Sequence, residues 1–302
     1  KNEAKKKKKQ SIRRMERKQS SSKSKVPWVK GNCIGKGSFG AVHLATSFSD
    51  GSVFAVKSAT VGSTQTESLE MEIQVLSSLS SPYVVKYLGD DVSVESGVIY
   101  RNLHVEYMPG GTAADILPGR SESDVRSITR CVVSALGYVH SRGIVHCDVK
   151  GRNILLGGSS AKLADFGSAI SEWDTGTKIA GGSPLWMAPE VVRREYQGPE
   201  SDVWSLGCTV IEMVTGKPAW EDRGLETLTR IGYSDNLPRF PAGLSELGLD
   251  FLDKCLQRDP ALRWTCDQLL LHPFLSSVSP TLDANNEPSP RCVLDWFGSD
   301  SD

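Results

Sequence analysis

From Val29 to Leu103, short β-branched stretches are separated by Gly, Ser and Asp, a pattern that predicts antiparallel strands. One helix interrupts them, because Leu69, Ile73 and Leu76 recur at helical spacing. After "PGG" at Pro109 to Gly111 the apolar period lengthens, and Val125, Ile128, Val132, Leu136 and Val139 share one helical face. The stretch "VWSLGCTVIEMV", Val203 to Val214, is apolar nearly all the way round, so that helix has to be enclosed by protein and should be the spine of the larger part. A small sheet with one helix is thus expected first, and a mainly helical half after it.

Charge and composition change the picture at the two ends. Residues 1 to 30 hold 13 Lys or Arg against two Glu, about +11, which leaves about -12 on the remainder behind a formal net charge of -1. Residues 1 to 27 read as a basic solvated tail whose "KKKKK" (Lys5 to Lys9) can contact an import receptor or an anionic surface, with no specific nucleic-acid reading. Residues 275 to 302 are rich in Ser, Pro, Asn and Asp and read as a polar tail with one apolar island, "CVLDWF". Seven cysteines without CxxC spacing, no hydrophobic leader and no apolar run of bilayer length predict an intracellular protein, of the cytoplasm or also the nucleus. The chain opens on Lys, as a fragment does.

Four groups of residues carry candidate chemistry. "GKGSFGAV", Gly35 to Val42, lies between two expected strands, and its glycines let backbone amides approach a polyanion, although such hairpins are also common structural turns. No Lys-Ser or Lys-Thr pair closes it and a strand follows, which argues against a Walker loop and a dinucleotide fold. In "FAVK", Phe54 to Lys57, both faces of the strand look buried, so Lys57 needs a partner. Glu72, on the helix of Leu69, Ile73 and Leu76, is the expected one, with Glu70 as its rival.

"HCDVKGRNILL", His146 to Leu156, and "DFG", Asp165 to Gly167, form the third group. Asn153 and Asp165 offer hard oxygen donors that suit magnesium. Zinc is disfavoured because adjacent His146 and Cys147 cannot readily turn to one ion, and a Cys147 nucleophile lacks any second motif to supply a base. Asp148 remains as the base. The fourth group is "APE", Ala188 to Glu190, with "SDVWSLG" from Ser201 and "RDPALRW" from Arg258, where Glu190 and Arg263 taken singly would be ordinary surface charges.

As an ordered set from about Trp28 to Phe274 these motifs resemble the eukaryotic protein kinases, whose signature set they match. "HCDVKGRN", "GSPLWMAPEV", "VTGKPAW" and "DFLDKCLQRDPALRWTCDQLLLHPFL" are similar to the MEKK-type branch of plant mitogen-activated protein kinase kinase kinases. The resemblance implies an α+β bilobal protein kinase fold over 28 to 274, with a small antiparallel-sheet N-lobe (28 to 108) carrying one helix and a larger, mainly helical C-lobe (109 to 274). It implies ATP and Mg²⁺ as cofactors and a MAP kinase kinase as the protein substrate, phosphorylated on Ser or Thr. The amides of Gly35, Lys36, Gly37, Ser38, Phe39, Gly40, Ala41 and Val42 would then cover the phosphates, and Lys57, held by Glu72, would grip them. Ile34, Ala55 and Leu155 would complete the ATP site, with backbone groups of Glu106 and Met108 at the adenine. Asn153 and Asp165 would hold the metal, Asp148 would orient the hydroxyl, and Lys150 would steady the γ-phosphate. Thr175, Thr177 and Ser183 would belong to the activation segment. Cys147 departs from the family, most members of which have arginine there to pair with an activation-segment phosphate; activation that depends less on that phosphate is the expected result. A catalytically silent scaffold with the same fold is the alternative reading.

Overall fold

β-Branched and aromatic residues punctuated by glycine build the first part of the molecule. The computed structural model describes residues 28–37, 40–115, 121–158, 160–171 and 181–276, so the basic tail, the polar tail beyond Ser276, Ser38, Phe39, Thr175 and Thr177 lie outside the described residues. Strands β1 (Trp28–Gly37), β2 (Gly40–Ser47), β3 (Val53–Thr60), β4 (Tyr87–Glu95) and β5 (Val98–Glu106) form one antiparallel sheet in the order β1-β2-β3-β5-β4. Helix α1 (Thr64–Ser78) packs beside it through Leu69, Ile73 and Leu76, all buried. The central strand β3 is buried from Phe54 to Ala59, while Val53, its first residue, is 52% exposed.

The two faces of β3 are covered by different means. On one, Ala59 and Leu103 join the core that contains α1. On the other, the Trp28 indole stands edge-on to Phe54 and His104, with centroids 6.2 and 5.3 Å away. A polar net seals that roof: Asp91 accepts from Trp28 Nε1 at 2.9 Å and from Asn102 Nδ2 at 2.7 Å, and the fully buried Asn102 accepts from Ser58 Oγ at 2.8 Å. Gly40 has φ +123°, and a Cβ there would stand 2.4 Å from the Ser58 carbonyl oxygen, so the turn between β1 and β2 admits only glycine at this point.

Helices make up most of the second part. Helix α2 (Glu122–His140) starts at Ser121, whose hydroxyl accepts from the Asp124 amide, and it buries the face that carries Val125, Ile128, Val132, Leu136 and Val139. Two short antiparallel pairs follow, β6 (Ile144–Val145) with β9 (Ile170–Ser171) and, between them in the chain, β7 (Ile154–Gly157) with β8 (Ser160–Leu163). After α3 (Pro189–Val192), helix α4 (Pro199–Thr215) is buried without a break from Ser201 to Met213 and ends on Gly216 at φ +68°. That enclosure is what an all-round apolar helix demands. Helices α5 (Leu225–Tyr233), α6 (Glu246–Cys255), α7 (Cys266–Leu270) and α8 (Pro273–Ser276) complete the order of elements.

Glu190 and Arg263 are not surface charges. Arg263 Nη1 and Nη2 donate to the two Glu190 carboxylate oxygens at 2.7 and 2.8 Å, and the side chains are 0% and 2% exposed. Arg263 also donates to the carbonyls of Glu200 and Gln257, and its guanidinium lies 5.2 Å from the Trp204 ring. The sheet part and the helical part are joined by backbone bonds, Val85 N–H to the Leu163 carbonyl at 2.9 Å and Leu163 N–H to the Tyr83 carbonyl at 2.8 Å. Among the described residues no helix is long and apolar enough to cross a membrane.

Candidate active site

Register sets the roof of the cleft. Lys57 stands opposite Val42 on one side and Leu103 on the other, while Ala55 stands opposite Leu44 and Val105, so these side chains share one face of the sheet. Lys57 Nζ donates to Glu72 Oε2 at 2.6 Å and to Asp165 Oδ1 at 2.8 Å. Burial alone would lower the lysine pKa, but the two carboxylates outweigh it and raise it above the ordinary value, so the ammonium is retained. Glu70, the rival partner, turns instead to Arg101, which donates to it at 2.7 Å.

Asp165 occupies the left-handed region at φ +64°, uncommon for a residue with a side chain. Its neighbours are tied to α1: Phe166 N–H donates to Glu72 Oε1 at 3.3 Å and Ser68 Oγ donates to the Gly167 carbonyl at 2.6 Å. A Cβ on Gly167 would stand 2.6 Å from the Ser68 hydroxyl. The Phe166 ring is fully buried, 4.7 Å from the His146 ring.

The loop before β7 carries the second set. Asp148 is 5% exposed; its Oδ1 accepts from Ser183 N–H at 2.9 Å, and its Oδ2 accepts from Lys150 Nζ at 2.7 Å and Asn153 Nδ2 at 3.0 Å. Lys150 Nζ also donates to Ser183 Oγ at 2.7 Å. Burial alone would raise the Asp148 pKa, but Lys150 and the Ser183 contact hold the carboxyl below its ordinary value. It is therefore an ionised, weakly basic group, suited to orienting a hydroxyl and taking its proton late. The other Asn153 amide hydrogen goes to the Asp148 carbonyl at 2.8 Å, which leaves its Oδ1 as the atom able to ligate a cation.

The crowd in "HCDVKGRN" is resolved by the same geometry. His146 Nδ1 accepts from Asp148 N–H and its Nε2 faces the Ala164 carbonyl at 3.0 Å, so Nε2 carries the proton and the ring is a structural bridge. Cys147 has φ +67°, packs with Val145 and Ile170, and donates to the Val145 carbonyl at 3.6 Å. Burial drives its thiol pKa well above the ordinary value, which keeps the group in its neutral form.

The remaining expected residues fall around these. Ile34 is 44% exposed on β1, and Gly35, Lys36 and Gly37 pair with Val42, Ala41 and Gly40. Leu155 pairs with Lys162 on β7 and bridges Thr112. Glu106 ends β5, and its carboxylate, which the sequence did not implicate, accepts from Lys86 N–H and Lys162 Nζ, each at 2.6 Å. Met108 lies against Gly157, where a Cβ would stand 2.9 Å from its methyl.

Further residues are missed by sequence reasoning. Asp202, 1% exposed at the start of α4, accepts from the amides of His146 and Cys147 at 2.8 and 2.9 Å and from His140 Nε2 at 2.8 Å, thereby holding the loop that presents Asp148. Glu212 accepts from Gly151 N–H at 3.0 Å and Trp186 Nε1 at 3.1 Å. Only the presence of Asp202 within "SDVWSLG" offered a signal.

A strand lysine locked to a helix glutamate and a second carboxylate, facing a buried Asp-Lys-Asn cluster between a small sheet and a helical part, defines a phosphotransferase cleft of the kinase kind. Residues 28–275 match the family model described as protein kinase domain, and the chain belongs to that family. It is a serine/threonine protein kinase of the mitogen-activated protein kinase kinase kinase type, as its relatives show. It is 45% identical to mitogen-activated protein kinase kinase kinase 17 of Arabidopsis thaliana, over 85% of this chain and 72% of that protein. It is 42% identical to mitogen-activated protein kinase kinase kinase 18 of the same plant, over 84% and 79% of the two chains. A third, mitogen-activated protein kinase kinase kinase 20, is 40% identical over 83% and 79%.

Proposed function

We propose that the chain uses ATP and Mg²⁺ to phosphorylate Ser or Thr hydroxyls of a MAP kinase kinase. The observation that carries the nucleotide assignment is the single ammonium of Lys57 lying between two carboxylates, Glu72 and Asp165. One cation against two anions leaves a negative balance on the cleft side, where the Asp165 side chain is 26% exposed, and a divalent ion corrects it. Asp165 and Asn153 offer oxygen donors of the hard kind magnesium prefers, and two are few enough to leave room for water and phosphate oxygens.

Each residue then has a role. Lys57 grips phosphate oxygens while Glu72 keeps it in place, and the amides from Gly35 to Val42 cover them. Asn153 and Asp165 hold magnesium, which when bound neutralises charge developing on the transferring phosphoryl. Asp148 orients the acceptor hydroxyl and accepts its proton, and Lys150 steadies the γ-phosphate. Glu106 and Met108 offer backbone groups to the adenine, with Ile34, Ala55 and Leu155 around it.

The acceptor assignment rests on likeness to proteins named mitogen-activated protein kinase kinase kinases. The test is transfer of radiolabel from γ-labelled ATP with magnesium to a panel of purified, catalytically inactive MAP kinase kinases. Labelling of at least one member on Ser or Thr, lost in Asp165→Ala, is expected. Nucleotide binding with no transfer to the panel or to a generic acceptor would favour the silent scaffold.

A further inference from the structure

Position 147 holds a neutral, buried thiol among Val145 and Ile170, so no cation projects from it toward the chain that returns at Gly181. That returning chain is nevertheless held firmly against the Asp148 loop. Gln197, 2% exposed, reaches it from the turn before α4, donating from Nε2 to the Gly181 carbonyl at 2.7 Å and accepting at Oε1 from Gly181 N–H at 3.3 Å. The two bonds use opposite ends of one amide, so the Gly181 donor and acceptor fix which way it points. The next residue, Gly182, has φ +133°, and a Cβ there would stand 2.4 Å from the Cys147 carbonyl oxygen. Ser183 follows, with its N–H on Asp148 and its hydroxyl receiving Lys150.

We infer that Gln197 is a positioning residue for phosphoryl transfer: its side-chain amide is an uncharged two-point clamp on Gly181 that sets Ser183 against Asp148 and Lys150. The inference rests on the kinase reading of Asp148 and Lys150. The clamp touches no reacting atom. It works through Gly182, whose lack of a side chain lets the backbone lie against the Cys147 carbonyl, and it does so where the neighbouring side chain supplies no charge. Its own anchor is the start of α4, where Ser201 donates to Glu190 at 2.9 Å and Glu190 in turn is gripped by Arg263.

Two variants of the full chain test this. Gln197→Met keeps the volume and removes both bonds; Gln197→Glu keeps the shape and makes the donor titratable. The ionised glutamate accepts from Gly181 N–H but faces the Gly181 carbonyl with a second oxygen and no hydrogen. The protonated form restores both bonds, and burial favours it. Among the described residues, the charged or titratable groups around the recess are Asp148, Lys150, Cys147, Asp202 and Glu190; these and all others are shared with the unaltered protein, so the ratio of variant to unaltered kcat isolates the new group.

With a generic protein acceptor, Gln197→Met is expected to lower kcat about tenfold at every pH, with KM for ATP unchanged, about what two lost hydrogen bonds carry. The Gln197→Glu ratio should be equally low at pH 8 and climb severalfold by pH 6, with thermal melting showing both variants folded. A folded Gln197→Met with kcat within twofold of the unaltered protein overturns the inference. So does a Gln197→Glu ratio that is flat with pH, which also decides the matter if Gln197→Met fails to fold; failure of both to fold makes Gln197 a structural residue and overturns it as well. Absence of transfer by the unaltered protein would instead count against the kinase reading itself.

Discussion

Two buried ion clusters, one under the sheet and one in the helical part, are built from the same kinds of side chain and serve opposite ends. At Glu190–Arg263 one cation meets one anion through two bonds, and the guanidinium's other hydrogens go to backbone carbonyls. Nothing in it is left to bind. At Lys57 one cation meets two anions, one of which borders the cleft. A saturated pair can only hold, whereas a cluster with a surplus charge can hold and also receive a ligand.

The comparison breaks first at the cleft. Lys57→Met and Asp165→Ala should each lower phosphate transfer by about a thousandfold or more, since each removes charge stabilisation from the transferring group. The lysine variant should stay folded, as Glu72 can take up a proton when its partner is lost; transfer above about a tenth of normal in either purified protein would refute the assignment. Arg263→Met strands Glu190 in the interior and should cost about 3–5 kcal/mol in urea unfolding. Adding Glu190→Gln should recover part of that loss, and a double variant less stable than the single would contradict a purely structural pair.

A third pair lies between these extremes. Burial alone would lower the His140 pKa, but Asp202 overrides it and, with Cys266 Sγ 3.6 Å from Nδ1, lifts it to about 10. A raised pKa means that the folded state holds the extra proton, so the contribution to stability is complete below the ordinary histidine value and fades as pH climbs toward 10. The stability gap between unaltered protein and His140→Gln should accordingly be wider at pH 6 than at pH 9, and a gap that widens with pH would exclude the imidazolium pair. The smallest effect is expected at Ser68→Ala, which removes one bond to Gly167 and should cost about 1 kcal/mol, a severalfold drop in kcat/KM.

What could be read from the chain alone follows the range of the interactions. Lys57 found its partner because the helical phase of Leu69, Ile73 and Leu76 turns Glu72 inward, and the enclosed α4 was visible from its apolar circumference. Glu70 could not be set aside that way, since what removes it is Arg101, 31 residues later. Glu190 and Arg263 meet across 73 positions and Asp202 reaches back 56 to the His146 amide, and no local period encodes either encounter. Glu106 was expected to matter through its backbone, yet its side chain ties together β4's approach and β8, a bond visible only after the strands are placed.

The indole of Trp28 lids the outer surface of the sheet from the first residue described. Loss of that one side chain would unroof Phe54 and strip a donor from Asp91 at once, so the apolar packing and the polar net of this surface share a single anchor.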